Sequence, residues 1–143
     1  LMDVLGANLY VANPGDNPTA TDKFVAMMRR YNKPLMITEF GSMSTTDDDG
    51  DGRVDTDLGH PRRHEIILRE AYAAIDRHPE IVGSVPWALM DVRVPMHWRW
   101  YNRGTGTFAY GLLDNQYRKK AVFDVVKEEI EGLKAAKSME AVG

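Results

Sequence analysis

The chain has 143 residues, of which 43% are hydrophobic and 27% charged, and its 18 basic and 21 acidic side chains give a formal charge of -3. This composition is typical of one globular domain and excludes intrinsic disorder, while the near balance of charge argues against nucleic acid as a partner. The absence of cysteine excludes disulfides, thiolate metal sites and cysteine nucleophiles, and no apolar run approaches the roughly 20 residues that span a bilayer.

The N-terminal region predicts a strand, a helix and a second strand. Residues 3–10 form a short, mostly apolar run that ends in a turn sequence, and no signal-peptide pattern precedes it. Residues 19–31 have large apolar side chains three and four residues apart, which predicts a helix. The side chains expected to face inward are Phe24, Met27, Met28 and Tyr31. Residues 34–40 are a second apolar strand, and Glu39 is its only charged residue.

The middle of the chain predicts a long polar loop and a helix. Residues 42–60 are rich in Asp and Gly, which is long for a connection within one domain. The helix predicted over 61–77 has Pro61 in its first turn and one apolar stripe. That stripe consists of Ile67, Leu68, Ala71, Tyr72 and Ile75. We expect His60 and His64 to be surface residues at the start of this helix.

The C-terminal region predicts a third strand, a second long loop and a last helix. Residues 81–90 are apolar, and Pro86 fits such a strand only at an edge, a bulge or its end. The loop over 91–106 and a short segment at 110–114 precede the helix predicted over 119–137. The inner face of that helix is expected to carry Val122, Val125, Val126, Ile130 and Leu133.

The order of these elements predicts an α/β fold. Strands that alternate with helices are typical of parallel strands joined by right-handed crossovers. The two long loops, 42–60 and 91–106, both follow the C-terminal ends of strands, which is where α/β folds carry their functional residues. We therefore expect one functional face at this end of the sheet.

Three segments of the chain resemble a known family. They are Lys33-Pro-Leu-Met-Ile-Thr-Glu-Phe-Gly41, Ile81-Val-Gly-Ser-Val-Pro-Trp-Ala-Leu-Met-Asp91 and Tyr110-Gly-Leu-Leu-Asp-Asn-Gln-Tyr-Arg-Lys-Lys120. In this order they resemble the C-terminal part of a (β/α)8-barrel retaining glycoside hydrolase, most closely the β-galactosidase and β-glucuronidase family. The resemblance implies that residues 1–143 are the last three β/α units, strands 6 to 8, of a partial TIM barrel with an acidic insertion at 45–60.

The resemblance also implies catalytic roles for two residues. In this family the Glu of the strand-seven segment is the nucleophile, a role that falls on Glu39. Tyr10 ends an Asn-x-Tyr segment like that of strand six and is expected to donate a hydrogen bond to Glu39, which keeps the carboxylate ionised. The alternative is a structural carboxylate paired with Arg93 or Arg99, since a charge in an apolar strand is costly unless it is paired or lies at a polar mouth.

Three side chains near the predicted strand ends are candidate substrate-binding residues. Trp87 is expected beneath the sugar, because an indole face stacks on the apolar face of a pyranose, although it fits a core position as well. Asn8 shares a face with Tyr10 by the two-residue period of a strand. Asp91 is expected either to bond a sugar hydroxyl or to cap the loop that follows it.

Trp98 and Trp100 are further candidates for substrate binding. They lie in a stretch that combines three aromatic side chains with two arginines, which is suited to a carbohydrate platform. Such a stretch also fits the stacking of single-stranded nucleic acid, although the acidic chain argues against that partner. A loop anchored by its own side chains, or a patch buried against another chain, is the structural alternative.

The acidic loop has the spacing of a calcium site. Positions one, three, five, seven and nine of an EF-hand-like loop correspond to Asp47, Asp49, Asp51, Arg53 (through its carbonyl) and Asp55. Leu58 stands where the bidentate Glu of the full pattern is found. We expect a structural Ca²⁺ ion, with a solvated acidic loop as the alternative, and no organic cofactor is indicated.

The family's general acid/base has no counterpart in this sequence. It is a Glu that follows an Asn at the end of strand four, and the chain contains no Asn-Glu pair. A barrel of this type needs about 250 residues. Three parallel strands alone expose two hydrogen-bonding edges, so we expect the missing N-terminal half-barrel, another chain or a second copy to cover them.

The expected function is therefore that of a glycoside hydrolase segment. It would supply the nucleophile for retaining hydrolysis of β-glycosides and would be inactive alone, with carbohydrate rather than nucleic acid or membrane as its partner. The alternative is a non-catalytic carbohydrate-binding or structural half-barrel that self-associates. A barrel aldolase would need a strand-end Lys for a Schiff base, and the predicted strands offer none. The sequence does not indicate which sugar is bound or the cellular location.

Overall fold

The computed structural model describes residues 2–11, 13–44, 59–95, 97 and 106–140. Strands and helices alternate in its main part. The strands are β1 (Leu5–Tyr10), β2 (Leu35–Gly41), β3 (Ile81–Pro86), β4 (Val92–Arg93) and β5 (Thr107–Phe108). The helices are α1 (Asp16–Met28), α2 (Pro61–Asp76) and α3 (Ala121–Glu140), and a short 3-10 turn over Arg29–Tyr31 follows α1. This order confirms the predicted α/β class.

The main sheet is parallel, as expected. Its strands lie in the order β1, β2, β3, and both neighbouring pairs are parallel. β3 ends at Pro86, several residues earlier than predicted, so Pro86 lies at the strand end, one of the places where a strand tolerates proline. β4 and β5 form a separate antiparallel pair that the sequence did not predict.

One core lies between the sheet and the three helices. Side chains of β1 alternate, with Leu5, Ala7 and Leu9 packed against this core and the intervening positions exposed. The buried side chains that make up the core include Phe24, Val25, Leu35, Ile37, Phe40, Leu68, Tyr72, Ile75, Ile81, Val122 and Val126. The face of the sheet that carries Asn8, Tyr10 and Thr38 is exposed. Parallel sheets are normally covered on both faces, so this face is unusual for the described part of the chain.

The helix faces agree with the predictions for α2 and α3 and differ for α1. All five predicted stripe residues of α2 are buried. Met27 in α1 and Tyr31 in the 3-10 turn after it were expected inside but are 54% and 49% exposed. The helix begins at Asp16, and its inner face includes Asn17, whose side chain donates a hydrogen bond to the Ile67 carbonyl. Phe24 is buried and Met28 packs against the core as predicted, but a polar residue that is satisfied in the core gives no apolar signal, so the sequence did not place Asn17 on this face.

His64 is not the surface residue that the sequence predicted. It is fully buried, and its Nδ1 lies 2.8 Å from the Ser44 hydroxyl oxygen. Burial, together with the nearby Lys120 charge, lowers the pKa of His64 to about 3, so the ring is neutral. His60, by contrast, accepts a hydrogen bond from the Arg62 backbone and caps α2.

None of the helices in the described ranges is long and apolar enough to cross a membrane.

Candidate functional site

A β-bulge in β2 determines which way Glu39 points. Against β1, Ala7 pairs with Ile37 but Asn8 pairs with Glu39, so β2 holds one extra residue here. The pairing with β3 shows the same irregularity between Ile37 and Phe40. Strict alternation from Ile37 would send Glu39 toward the helices and Phe40 away from them. The bulge instead keeps Phe40 in the core, 1% exposed, and leaves Glu39 beside Thr38 on the opposite side.

Tyr10 and Glu39 meet at the C-terminal ends of neighbouring strands. The Tyr10 hydroxyl donates a hydrogen bond of 2.8 Å to Glu39 Oε2. Burial, the hydrogen bond to Glu39 and the negative charges nearby all raise the pKa of Tyr10 well above its ordinary value of 10.0. Tyr10 therefore remains a protonated donor at any physiological pH. Within the described ranges Glu39 forms no ion pair, so the alternative of a pair with Arg93 is not seen, and Arg99, the other predicted partner, lies outside the described residues.

Asn8 lies on the same face of the sheet. Its side-chain oxygen accepts a hydrogen bond of 2.6 Å from the Thr38 hydroxyl. Because Asn8 of β1 pairs in register with Glu39 of β2, the two residues lie side by side at the level of the bulge. This agrees with the face predicted from the two-residue period, whereas contact of Asn8 with a sugar remains a prediction.

Trp87 directly follows the end of β3 and is tied to β2 through its backbone. Its N–H donates a hydrogen bond of 2.7 Å to the Phe40 carbonyl, and its side chain is 38% exposed. The peptide bond between Trp87 and Ala88 is cis. Gly41 allows this approach, since its φ is +145° and a Cβ there would come within 2.7 Å of the Trp87 carbonyl oxygen. Trp87 thus lies just past the end of β3, beside the end of β2 that carries Glu39. Its side chain is partly exposed, which stacking on a ligand requires.

Two aromatic residues that the sequence did not single out join this site. The rings of Tyr10 and Tyr110 meet edge to face, with centroids 6.0 Å apart and an interplanar angle of 83°. Phe108 stacks on Tyr110 at 4.5 Å. The alternation of Phe108 and Tyr110 around a small residue is a weak strand signal, and nothing in it indicated contact with Tyr10.

Asp91 has a structural set of contacts. It is 6% exposed, and its Oδ1 lies 2.7 Å from Lys120 Nζ and accepts a hydrogen bond of the same length from the Gly111 N–H. Burial raises the pKa of Asp91, and the ion pair with Lys120 opposes that shift. Lys120 also donates to the carbonyls of Ser44 and Ala109, at 2.6 and 3.1 Å. These contacts join Asp91 to Gly111 and Lys120 rather than to the loop that follows it, so both the capping of that loop and the contact with sugar remain predictions.

The remaining predicted site residues lie outside the described ranges. They are Trp98 and Trp100 for substrate, and Asp47, Asp49, Asp51, Arg53 and Asp55 for metal. Within the part of the chain that the structure describes, no group of three or more His, Asp or Glu side chains is placed to hold a metal ion.

Solved structures of GH2 enzymes have a similar fold. A GH2 β-galacturonidase from Eisenbergiella tayi, bound to galacturonate, matches with a TM-score of 0.78 and 23% identity over 91% of this chain and 24% of its own. A Bifidobacterium dentium β-glucuronidase complexed with coumarin-3-O-glucuronide matches with a TM-score of 0.75 and 19% identity over 92% of this chain and 21% of its own. A β-D-glucuronidase for Dictyoglomus thermophilum matches with a TM-score of 0.72 and 17% identity, over 88% and 22%.

These likenesses concern the fold and a part of each enzyme. No family model and no curated protein matches the chain. The chain spans about a quarter of the length of the structures it resembles. It therefore has the fold of one segment of a GH2-type glycoside hydrolase.

Proposed function

We propose that this chain is the C-terminal segment of a retaining β-glycoside hydrolase barrel and supplies its nucleophile, Glu39. Residues 1–143 would form strands 6 to 8 of a (β/α)8 barrel, with β1, β2 and β3 in those places. The hydrogen bond of 2.8 Å from Tyr10 to Glu39 carries the proposal. It joins a carboxylate and its donor at the C-terminal ends of adjacent parallel strands, on the face away from the helices, where barrel enzymes carry their catalytic residues.

The geometry suits a carboxylate nucleophile. Tyr10 binds Oε2, and Oε1 of Glu39 has no hydrogen bond to any described residue. Oε1 would attack the anomeric carbon and form a glycosyl ester while the bond to the leaving oxygen breaks. A water molecule then attacks the same carbon, which releases the carboxylate and gives net retention. Tyr10 would hold the carboxylate in one orientation through both steps.

The general acid would come from polypeptide outside these residues. In retaining enzymes the two carboxyl groups lie about 5 to 5.5 Å apart, so this second group must approach the exposed face of the sheet. Apolar grooves flank both outer strands, one lined by Met2, Leu5 and Met28 beside β1 and one lined by Ile81, Ile130 and Leu133 beside β3. An N-terminal half-barrel would cover this face and these grooves.

The substrate we propose is a β-linked glycoside. Trp87 would stack beneath the sugar ring, with Asn8, Trp98 and Trp100 around it and Asp91 as a further candidate. The E. tayi enzyme is bound to galacturonate and the B. dentium enzyme is complexed with a glucuronide, which supports a carbohydrate as the ligand class. A structural Ca²⁺ ion in the acidic loop is a separate proposal, supported by the spacing of its Asp residues.

A second candidate function is a carbohydrate-binding or structural half-barrel that pairs with itself. The exposed face of the parallel sheet favours it, because a second copy would cover that face as well as a half-barrel does. In this case Glu39 would bind sugar hydroxyls without forming a covalent bond, and the assembly would contain only this chain.

Replacement of Glu39 by Gln separates these functions. In the protein that contains these residues together with the source of the acid, Glu39→Gln should lower kcat for an aryl β-glycoside by about a thousandfold or more while sugar binding persists, since the amide cannot form the ester. Glu80→Gln, at a half-buried carboxylate that is paired with Arg29 and lies before β3, is the matched control and should keep wild-type turnover. Unchanged turnover by Glu39→Gln would refute the nucleophile role.

A further inference from the structure

The Tyr10 hydroxyl must be held in place if it is to orient Glu39. Tyr10 is the last residue of β1 and is 41% exposed, so its own strand restrains the ring on one side only. A long side chain at a strand end loses rotamer freedom when its hydroxyl stays on one oxygen atom. The restraint must therefore come from a neighbouring side chain.

Tyr110 provides that contact. Its ring meets the Tyr10 ring edge to face at a centroid distance of 6.0 Å, which is a favoured aromatic geometry. Phe108 stacks behind Tyr110 with an interplanar angle of 21°. The three rings form a row that leads from β5 to the Tyr10–Glu39 hydrogen bond.

The backbone on either side of Tyr110 is fixed to both neighbouring strand ends. The Tyr110 carbonyl accepts a hydrogen bond of 2.9 Å from the Ala88 N–H, next to Trp87. The preceding carbonyl, that of Ala109, accepts from the Ser44 N–H and from Lys120 Nζ. Gly111 follows and is enclosed, because a Cβ there would lie 2.2 Å from the Asp91 nitrogen. The Tyr110 ring is thus presented from a rigid segment.

We propose that Tyr110 is a positioning residue that holds the Tyr10 hydroxyl on Glu39 through the edge-to-face contact of the two rings. The inference rests on the role proposed for Glu39, and it assigns to the segment around Tyr110 a part in the site that its sequence did not reveal. The contact is made by the ring of Tyr110 rather than by its hydroxyl. Tyr110→Phe should therefore keep the Tyr10 hydroxyl in position, and Tyr110→Ala should lose that positioning.

Nuclear magnetic resonance of the 143-residue chain tests this directly. The readouts at neutral pH are the ¹³C shift of the Glu39 side-chain carboxyl carbon and the resonance of the Tyr10 hydroxyl proton. Tyr10→Phe removes the hydroxyl and so shows how far the Glu39 carboxyl resonance shifts when the hydrogen bond is lost. Tyr110→Ala should shift the carboxyl resonance in the same direction and remove the hydroxyl signal, whereas Tyr110→Phe should keep both as in the wild type.

Tyr31→Ala is the matched control, since it deletes a half-exposed tyrosine ring that contacts the Arg30 guanidinium rather than Tyr10 or Glu39. It should leave both signals unchanged. Wild-type signals in Tyr110→Ala, or loss of both signals in Tyr110→Phe, would overturn the proposal. If the amide spectrum shows that Tyr110→Ala is unfolded, Tyr110→Leu and Phe108→Leu take its place under the same criteria.

The outcome of the resonance comparison does not depend on whether the protein turns over a glycoside. Unchanged turnover by Glu39→Gln would refute the proposed function and leave the resonance comparison intact. Conversely, wild-type spectra in Tyr110→Ala alongside an inactive Glu39→Gln would overturn the positioning role alone.

Discussion

Glu39 lies in β2 and His64 near the start of α2, and their surroundings give these two side chains different chemistry. Glu39 faces the open side of the sheet, and one of its oxygens is bound by Tyr10. His64 is wholly buried, with Ser44 at Nδ1 and no hydrogen-bond partner at Nε2 among the described residues. A buried imidazole with an unpaired ring nitrogen resists protonation. The imidazolium would carry a second N–H donor without an acceptor and a charge without a counter-ion.

His64 should make stability depend on pH. Its pKa is about 3 in the folded chain and has its ordinary value of 6.5 in the unfolded chain, so between these values the unfolded chain binds the extra proton. The free energy of unfolding should therefore fall as the pH drops from 6.5 towards 3, by at most about 1.4 kcal/mol per pH unit, and the full contribution is present above 6.5.

Urea unfolding at several pH values measures this slope. His64→Gln removes the titrating ring and should have a shallower slope than the wild type between pH 6.5 and the acid limit. His97→Gln, at an exposed histidine, should keep the wild-type slope. Equal slopes for His64→Gln and the wild type would contradict the buried neutral ring.

The elements were predictable from the sequence to the extent that their residues carry a periodic apolar signal. The stripe of α2 and the parallel order of β1, β2 and β3 were correct for this reason. The predicted inner face of α1 was correct at Phe24 and Met28 but missed Asn17, which is buried by means of a hydrogen bond, and the bulge in β2 has no sequence signal at all. The site depends on that bulge. Strict two-residue periodicity would have turned Glu39 toward the helices, and it was the motif over residues 33–41 that predicted Glu39 as a site residue.

Gly41 should be essential to the junction between β2 and β3. Gly41→Ala would place a Cβ 2.7 Å from the Trp87 carbonyl oxygen at a φ of +145°, so the free energy of unfolding should fall by about 2 kcal/mol. Gly83→Ala is the control, because its Cβ would meet only the Met36 side chain at 3.8 Å. Urea unfolding of both variants checks this. A loss for Gly41→Ala no greater than for Gly83→Ala would contradict the close approach.

The acidic loop at 45–60 should bind Ca²⁺ if its Asp spacing is a ligand set. Saturating Ca²⁺ at 100 times its Kd would then add about 2.7 kcal/mol to the free energy of unfolding, and a chelator would remove it. Calorimetry with Ca²⁺ and with Mg²⁺ measures the effect, and Asp49→Asn should weaken the response. The same midpoint with Ca²⁺ and with chelator would show a solvated loop.

The molecule as a whole has the architecture of one segment of a larger fold. Its parallel sheet is covered by helices on one face and exposed on the other, and it spans about a quarter of the GH2 enzymes whose fold it shares. The sequence predicted this incompleteness from the missing acid and the small number of strands. It did not predict the aromatic row from Phe108 to Tyr10, because ring contacts between distant segments depend on how the strand ends meet.

Covalent trapping tests the central claim, the nucleophile role of Glu39, most directly. The protein that contains these residues and the source of the acid is treated with 2-deoxy-2-fluoro-β-glycosyl fluorides of glucose, galactose and glucuronic acid. Fluoride leaves without protonation, and the fluorine at C2 slows hydrolysis of the glycosyl ester by destabilising its oxocarbenium-like transition state. Mass spectrometry of peptides should find one glycosyl group on Glu39 and none in Glu39→Gln. A glycosyl group on another carboxylate, or an equally labelled Glu39→Gln variant, would contradict the account.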